Sequence, residues 1–168
     1  MADPINVKGL SDLAVFLDQL VPKLQRNVMR QALRAGLKPV QDEAKATTQF
    51  ADKTGALRKG LKISTRAKSG VVTASLKAKG KHAFLAVYIE YGTVAHRINA
   101  KKGAALSFNG SALQSVDHPG QKARPFLRPA LDARASDAVV AAAQYIKERL
   151  STKEGLDTSG VMIQSDEP

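Results

Sequence analysis

The spacing of apolar residues changes period twice along this chain, and that change restricts the fold more than any other feature. Leu13, Phe16, Leu17 and Leu20 recur at three- and four-residue intervals, so residues 11–20 are expected to form a short amphipathic helix capped by Ser11. Pro22 suits the first turn of a second helix, where its missing N–H has no partner to lose. Leu24, Val28, Ala32, Ala35, Val40 and Ala44 then carry an apolar stripe on toward Thr47. Gly36 and Pro39 interrupt that stripe, which predicts a kink near Lys38 or two shorter helices.

After a loop at residues 49–60, the period becomes that of a strand. Leu61, Ile63 and Thr65 alternate with polar neighbours, and Ser69-Gly70 marks a turn into a second strand at 71–76. Residues 84–91 carry Val87, Tyr88, Ile89 and Tyr91, residue types that favour strands, and are expected to complete an antiparallel meander. Residues 92–124 are rich in Gly, Ser, Asn, Lys and His, with short strands expected only at 104–108 and 113–116. A stretch of that length with little structure of its own is usually functional or disordered. Pro125 opens a last helix at 126–150, whose Leu127, Leu131, Ala135, Ala138, Ala142 and Ile146 share a face.

These elements predict an α+β fold. A single domain over residues 1–150 has an antiparallel sheet packed by a long N-terminal helix and a C-terminal helix, with an extended loop at 92–124 between the last strand and the last helix. Residues 151–168 are expected to be a flexible tail whose Val161-Met162-Ile163 triplet is available to dock on a neighbour.

Composition limits the function. Hydrophobic residues make up 43% of the chain, but aromatics only 5%, and much of the remainder is alanine. Alanine buries little area per residue, so the core should be thin and part of the stability should come from neighbours in an assembly. No cysteine is present, which excludes disulfides and zinc–thiolate sites and suits synthesis in a reducing cytoplasm. The opening MADPINVKGLSDL lacks the basic and apolar segments of a signal peptide, and no apolar run is long enough to span a membrane. A soluble protein made in the cytoplasm is expected. The net charge of +11 favours an anionic partner, either nucleic acid or an acidic protein surface.

Arg26, Arg30, Arg34 and Lys38 stand four apart and line one stripe of the second helix. Exposed like charges at that spacing repel by roughly 0.2–0.5 kcal/mol per pair. A solvated face accounts for the stripe as well as a binding surface does. As a binding surface it fits an acidic protein better than DNA, because a DNA conduit should not grip its cargo.

Catalysis finds little support. His82, His96 and His118 have no second ligand at helical metal spacing, and Asp117-His118 beside Ser115 is adjacency in sequence, not a triad. For Glu90, a charge at a strand end paired with Arg97 or Arg128 is favoured over a catalytic role. No cofactor or metal is expected.

Four segments carry a resemblance to a known family. They are VKGLSDLAVFLDQL with the basic helix after it, TGALRKGLKI at 54–63, VYIEYGT at 87–93, and HPG followed by PFLRPAL within 118–131. Their wording and order resemble the tail-completion, head–tail joining proteins of long-tailed bacteriophages, often called minor tail or neck proteins. The loop at 101–122 and the tail after Ser151 depart from that pattern. The resemblance implies a virion protein of the tail or neck without an active site. It implies a homo-oligomeric ring, expected to be sixfold, that meets tail terminator, tail tube or head connector proteins, with transient contact to DNA in the lumen. Glu90, Tyr91, Gly92, Thr93, His96, Arg97, Phe126, Leu127 and Arg128 are the expected interface residues. The alternative is a small basic nucleic-acid-binding protein. Against it, the basic residues lack the interleaved aromatics of single-strand binders.

Overall fold

A computed structural model describes residues 7–101, 104–108 and 110–165. The elements run β1 (Val7–Lys8), α1 (Leu10–Asp18), α2 (Pro22–Ala46), α3 (Ala56–Gly60), β2 (Leu61–Lys68), β3 (Val71–Ala78) and α4 (Ala83–Tyr91). They continue with β4 (His96–Asn99), β5 (Leu106–Phe108), β6 (Ser111–Leu113), β7 (Ser115–His118), α5 (Leu127–Ala133), α6 (Ala135–Glu154) and β8 (Gln164–Ser165). The fold is α+β, with α2 and α6 packed against small antiparallel sheets of two strands each.

Helix α2 is the spine. It is continuous for 25 residues through Pro39, so the expected division into two helices does not occur. One half of its apolar stripe, Val28 and Ala32, lies in a core with Leu13, Leu17, Ala143, Ile146 and Leu150. The other half, Val40 and Ala44, lies in a second core with Phe50, Leu57, Leu61, Ala86, Phe126 and Ala130. Between the two, Gly36 meets α6 so closely that a Cβ there would stand 2.6 Å from the carbonyl oxygen of Ala138. The small residues Gly36, Ala138 and Ala142 permit that approach.

Helix α1 starts one residue earlier than expected. Its cap is Gly9, at φ +83°, and Ser11 lies inside the helix. The β2–β3 hairpin forms as expected, with Lys68 opposite Val71 across a two-residue turn. Both turn residues, Ser69 and Gly70, take positive φ, as turns matched to strand twist require. Buried Gln41 on α2 donates from Nε2 to the Leu61 carbonyl at 2.7 Å and pins the hairpin to the spine.

Two further expectations fail. Residues 84–91 are helical, so the sheet is a hairpin and not a three-stranded meander. The nine-residue apolar run is compatible with either state, and helix prevails because it puts Ala86 and Glu90, four apart, in the interior together. The last helix is two, broken at Arg134, whose guanidinium bonds Glu43 of α2 at 2.9 Å and Asp137 of α6 at 3.1 Å. Those bonds, Glu43's first, hold the arginine's pKa above its ordinary value. Of residues 151–168, expected to be a flexible tail, those up to Glu154 continue α6 and the chain then turns at Gly155 and runs back over the helices, while residues 166–168 lie outside the described residues. Val161 is buried in the first core, Lys147 donates to its carbonyl at 2.6 Å, and β8 pairs with β1. The Val161-Met162-Ile163 triplet thus packs on this chain, with Met162 left exposed.

Gly36→Val should lower stability by roughly 1–3 kcal/mol, the usual range for overpacking a tight contact. Denaturant unfolding measures it, and an unchanged midpoint would mean the two helices do not meet there.

Candidate assembly interface

Segments far apart in sequence meet at the junction of α2, α3, α4 and α5. Arg58 of α3 donates to the carbonyls of Lys45 (2.8 Å), Thr47 (2.7 Å) and Phe50 (3.2 Å), closing the C-terminal end of α2. Its guanidinium also lies over the Phe50 ring, 5.2 Å from the centroid. Phe50 meets Phe126 edge-on at 4.9 Å. These contacts carry the residues 54–63 onto the entry of α5.

Glu90 completes the junction. Its buried carboxylate accepts the backbone N–H groups of Phe126 (2.8 Å), Leu127 (2.9 Å) and Arg128 (3.2 Å). The next residue, Pro129, has no N–H, so one side chain from α4 satisfies the donors that a helix start normally leaves open. The Arg128 guanidinium lies 3.8 Å from the same carboxylate and 4.8 Å from the centroid of the Tyr91 ring. Glu90 therefore has the Arg128 partner expected of it, but at a helix end and not a strand end. Its larger role, capping a distant helix, leaves no sequence signal beyond an acid within an apolar run.

At Gly92 the chain leaves α4 with φ +73° and ψ −174°, a combination open essentially to glycine alone. Thr93 and Gln121 exchange backbone hydrogen bonds of 2.9 Å each, and the Arg124 N–H donates to the Ile89 carbonyl at 2.7 Å. Gly120 passes so near that a Cβ would stand 2.4 Å from the Thr93 oxygen. Beyond this crossing, the segment expected to be an extended loop with two short strands forms a β arm of four. Strands β4 and β7 pair from His96↔His118 to Asn99↔Ser115, and β5 pairs with β6.

The arm accounts for two further candidates. Arg97 bonds the Ser115 hydroxyl from Nε (3.0 Å) and Nη2 (2.7 Å) and lies 3.8 Å from Asp117, not beside Glu90. His96 and His118 face each other across the strands with ring centroids 5.0 Å apart. His118 Nδ1 accepts the Gly120 N–H, and His96 Nδ1 lies 2.9 Å from the Val94 carbonyl. Among the described residues, no group of three or more His, Cys, Asp and Glu side chains is placed to hold a metal. The basic stripe lies apart from this junction. Its four side chains are exposed, Arg26 bonds the Pro22 carbonyl and Lys38 pairs with Asp42 at 2.6 Å.

Helix α4 is turned inside out. It buries Ala86 and Glu90, and presents Phe84, Val87, Tyr88 and Tyr91 to solvent. Tyr91 is 65% exposed and Val94, just beyond, is 83% exposed. Phe84 and Tyr88 form an edge-to-face pair at 5.9 Å. A groove of about 610 Å³ continues from Leu85, Tyr88 and Val94 to His96, His118 and Gln121 at the root of the arm.

Residues 11–92 match the family described as "Bacteriophage HK97-gp10, putative tail-component". That segment is similar to this family of phage tail components. The match takes in α1 to α4 and ends at the glycine where the arm begins, so α5 and the arm lie outside it. No curated protein and no solved structure matches the chain. No helix among the described residues is long and apolar enough to cross a membrane.

Glu90→Ala should cost about 3 kcal/mol, because it leaves the buried Phe126 N–H and the part-buried N–H groups of Leu127 and Arg128 without their acceptor. Glu90→Gln, which retains an acceptor, should cost less. Equal losses in denaturant unfolding would contradict the capping role.

Proposed function

We propose that this phage tail component completes the tail and joins it to the head connector as a closed ring of copies, sixfold in number, with DNA passing through the lumen. The observation that carries the reading is the outward apolar face of α4. Contiguous exposed apolar surface in a folded chain marks an interaction site, and aromatic residues are enriched in the cores of such sites. A ring needs a heterologous contact, in which one surface of a copy meets a different surface of the next. The α4 face with the groove beside it supplies one surface, and the arm, rooted at the same place, supplies reach toward the next copy or the next ring. Glu90, Gly92, Thr93, Phe126 and Leu127 hold the arm's root, while Tyr91, His96, Arg97 and Arg128 lie exposed around it. Tail terminator, tail tube and connector proteins are the partners of such a ring.

Light scattering and negative-stain imaging, with the protein alone and mixed with tail tubes, test the reading. A ring, or a collar on tube ends, is expected. The double variant Val87→Asp, Tyr88→Asp should melt as the parent does but remain monomeric on and off tubes. A parent chain that stays monomeric and ignores tubes would overturn the proposal. Replacing residues 101–113 with an Asn-Gly turn should keep β4 and β7 paired and the melt cooperative, while joining of heads to tails is lost. Loss of the cooperative melt would instead make the arm part of the fold.

A further inference from the structure

Between Asp52 and Glu90 the chain holds nine lysines and arginines and no carboxylate. The β2–β3 hairpin sorts part of this charge onto one face. Leu61 is buried against α2, with Leu76 and Ala78 packed on the same core. Side chains alternate across a strand, so the intervening positions turn away from the spine. In register they are Lys62 opposite Lys77, Ser64 opposite Ser75, Arg66 opposite Thr73, and Lys68 opposite Val71. The four cations are exposed, and among the described residues none has a carboxylate partner. Lys62 directly opposite Lys77 is a pairing that like charge disfavours within the isolated chain.

We propose that this outward hairpin face is a contact surface for the sugar–phosphate backbone of duplex DNA. The sign of the charge calls for a polyanion, and the rest of the face selects which kind. Protein interfaces have an apolar, aromatic centre and are depleted in lysine. Here the one apolar side chain is Val71, beside the turn, and three of the four cations are lysines. Ser64, Thr73 and Ser75 lie among them, and hydroxyls join Lys and Arg as the usual donors to phosphate oxygens. Single strands are held by stacking on aromatic rings, and this face has none. A short ribbon bearing point charges and small hydroxyls suits a duplex backbone, contacted without reading its sequence.

The surface differs from the α2 stripe in element and composition, and its role does not depend on how many copies assemble. Fluorescence anisotropy with a labelled duplex of mixed sequence, titrated across a range of salt, tests it. Light scattering run alongside separates loss of DNA contact from loss of assembly. Each phosphate contact contributes about 0.9 to the slope of log affinity against log salt. Combining Lys62→Gln, Arg66→Gln, Lys68→Gln and Lys77→Gln should lower that slope by about 3 to 4. Combining Arg26→Gln, Arg30→Gln and Arg34→Gln should leave it unchanged, and Lys62→Arg with Lys68→Arg and Lys77→Arg should preserve it. If the fourfold variant unfolds, Lys68→Gln and Lys77→Gln alone should each remove about 0.9. Absence of binding by the parent chain at low salt would overturn the proposal. So would equal losses in the hairpin and helix variants, since net charge alone would then be responsible. Polyglutamate bound as tightly as DNA through the same four residues would also overturn it, in favour of an acidic protein.

Discussion

The close approach of α2 and α6 at Gly36 is the constraint from which the remaining architecture follows. Because one unbroken helix serves two cores, the packing of its first half on α1 and α6 fixes the direction of its second half. The hairpin, α3, α4 and α5 are all built on that second half. A chain with few aromatics has to gain its packing from proximity, and buried Ala32, Ala44, Ala86, Ala130 and Ala143 provide it. The expected thinness of the core thus takes the form of backbones brought near one another.

A second constraint is chemical. Glu90 and Arg58 are charged groups placed at opposite kinds of helix terminus, an acid at the start of α5 and a base at the end of α2, each complementing the local backbone dipoles. Phe50 and Phe126 bridge the two. The segments VYIEYGT and PFLRPAL, which are separate in the sequence, are therefore two halves of one helix cap. Neither segment is sufficient by itself, because the acid has no donors and the donors have no acceptor until the chain folds.

Much of the local structure was legible. Pro22 at a helix start, the alternation from Leu61, and the Ser69-Gly70 turn are each written within a few neighbouring residues, where sterics and burial act locally. The α+β class followed from them. What was not legible depended on partners distant in sequence. Residues 83–91 contain strand-favouring side chains, and only the need to bury Ala86 and Glu90 together makes them a helix. The break at Arg134 depends on Glu43, ninety-one positions away. The order after Gly155 depends on Val161 finding the first core and on Gly9 leaving room for the Met162 carbonyl. In the arm, the short strands expected at 104–108 and 113–116 overlap β5 and β7, whereas β4 was not legible because its four residues lack an apolar face. Of the candidate site, Glu90, Phe126 and Arg128 were found to lie together, whereas Arg97 and the two histidines belong to the arm and interact there.

The crossing of Thr93 and Gln121 has a consequence for how such a protein can change. The arm leaves the body and returns to it through one point, sealed by two mutual hydrogen bonds and by glycines on both passing chains. Whatever lies between is a closed excursion. Its length and sequence can drift between lineages without altering the distance that α4 and α5 must span, because that distance is set at the crossing. The body and the arm are thereby free to evolve at different rates, one held by its packing and the other answerable only to what it touches.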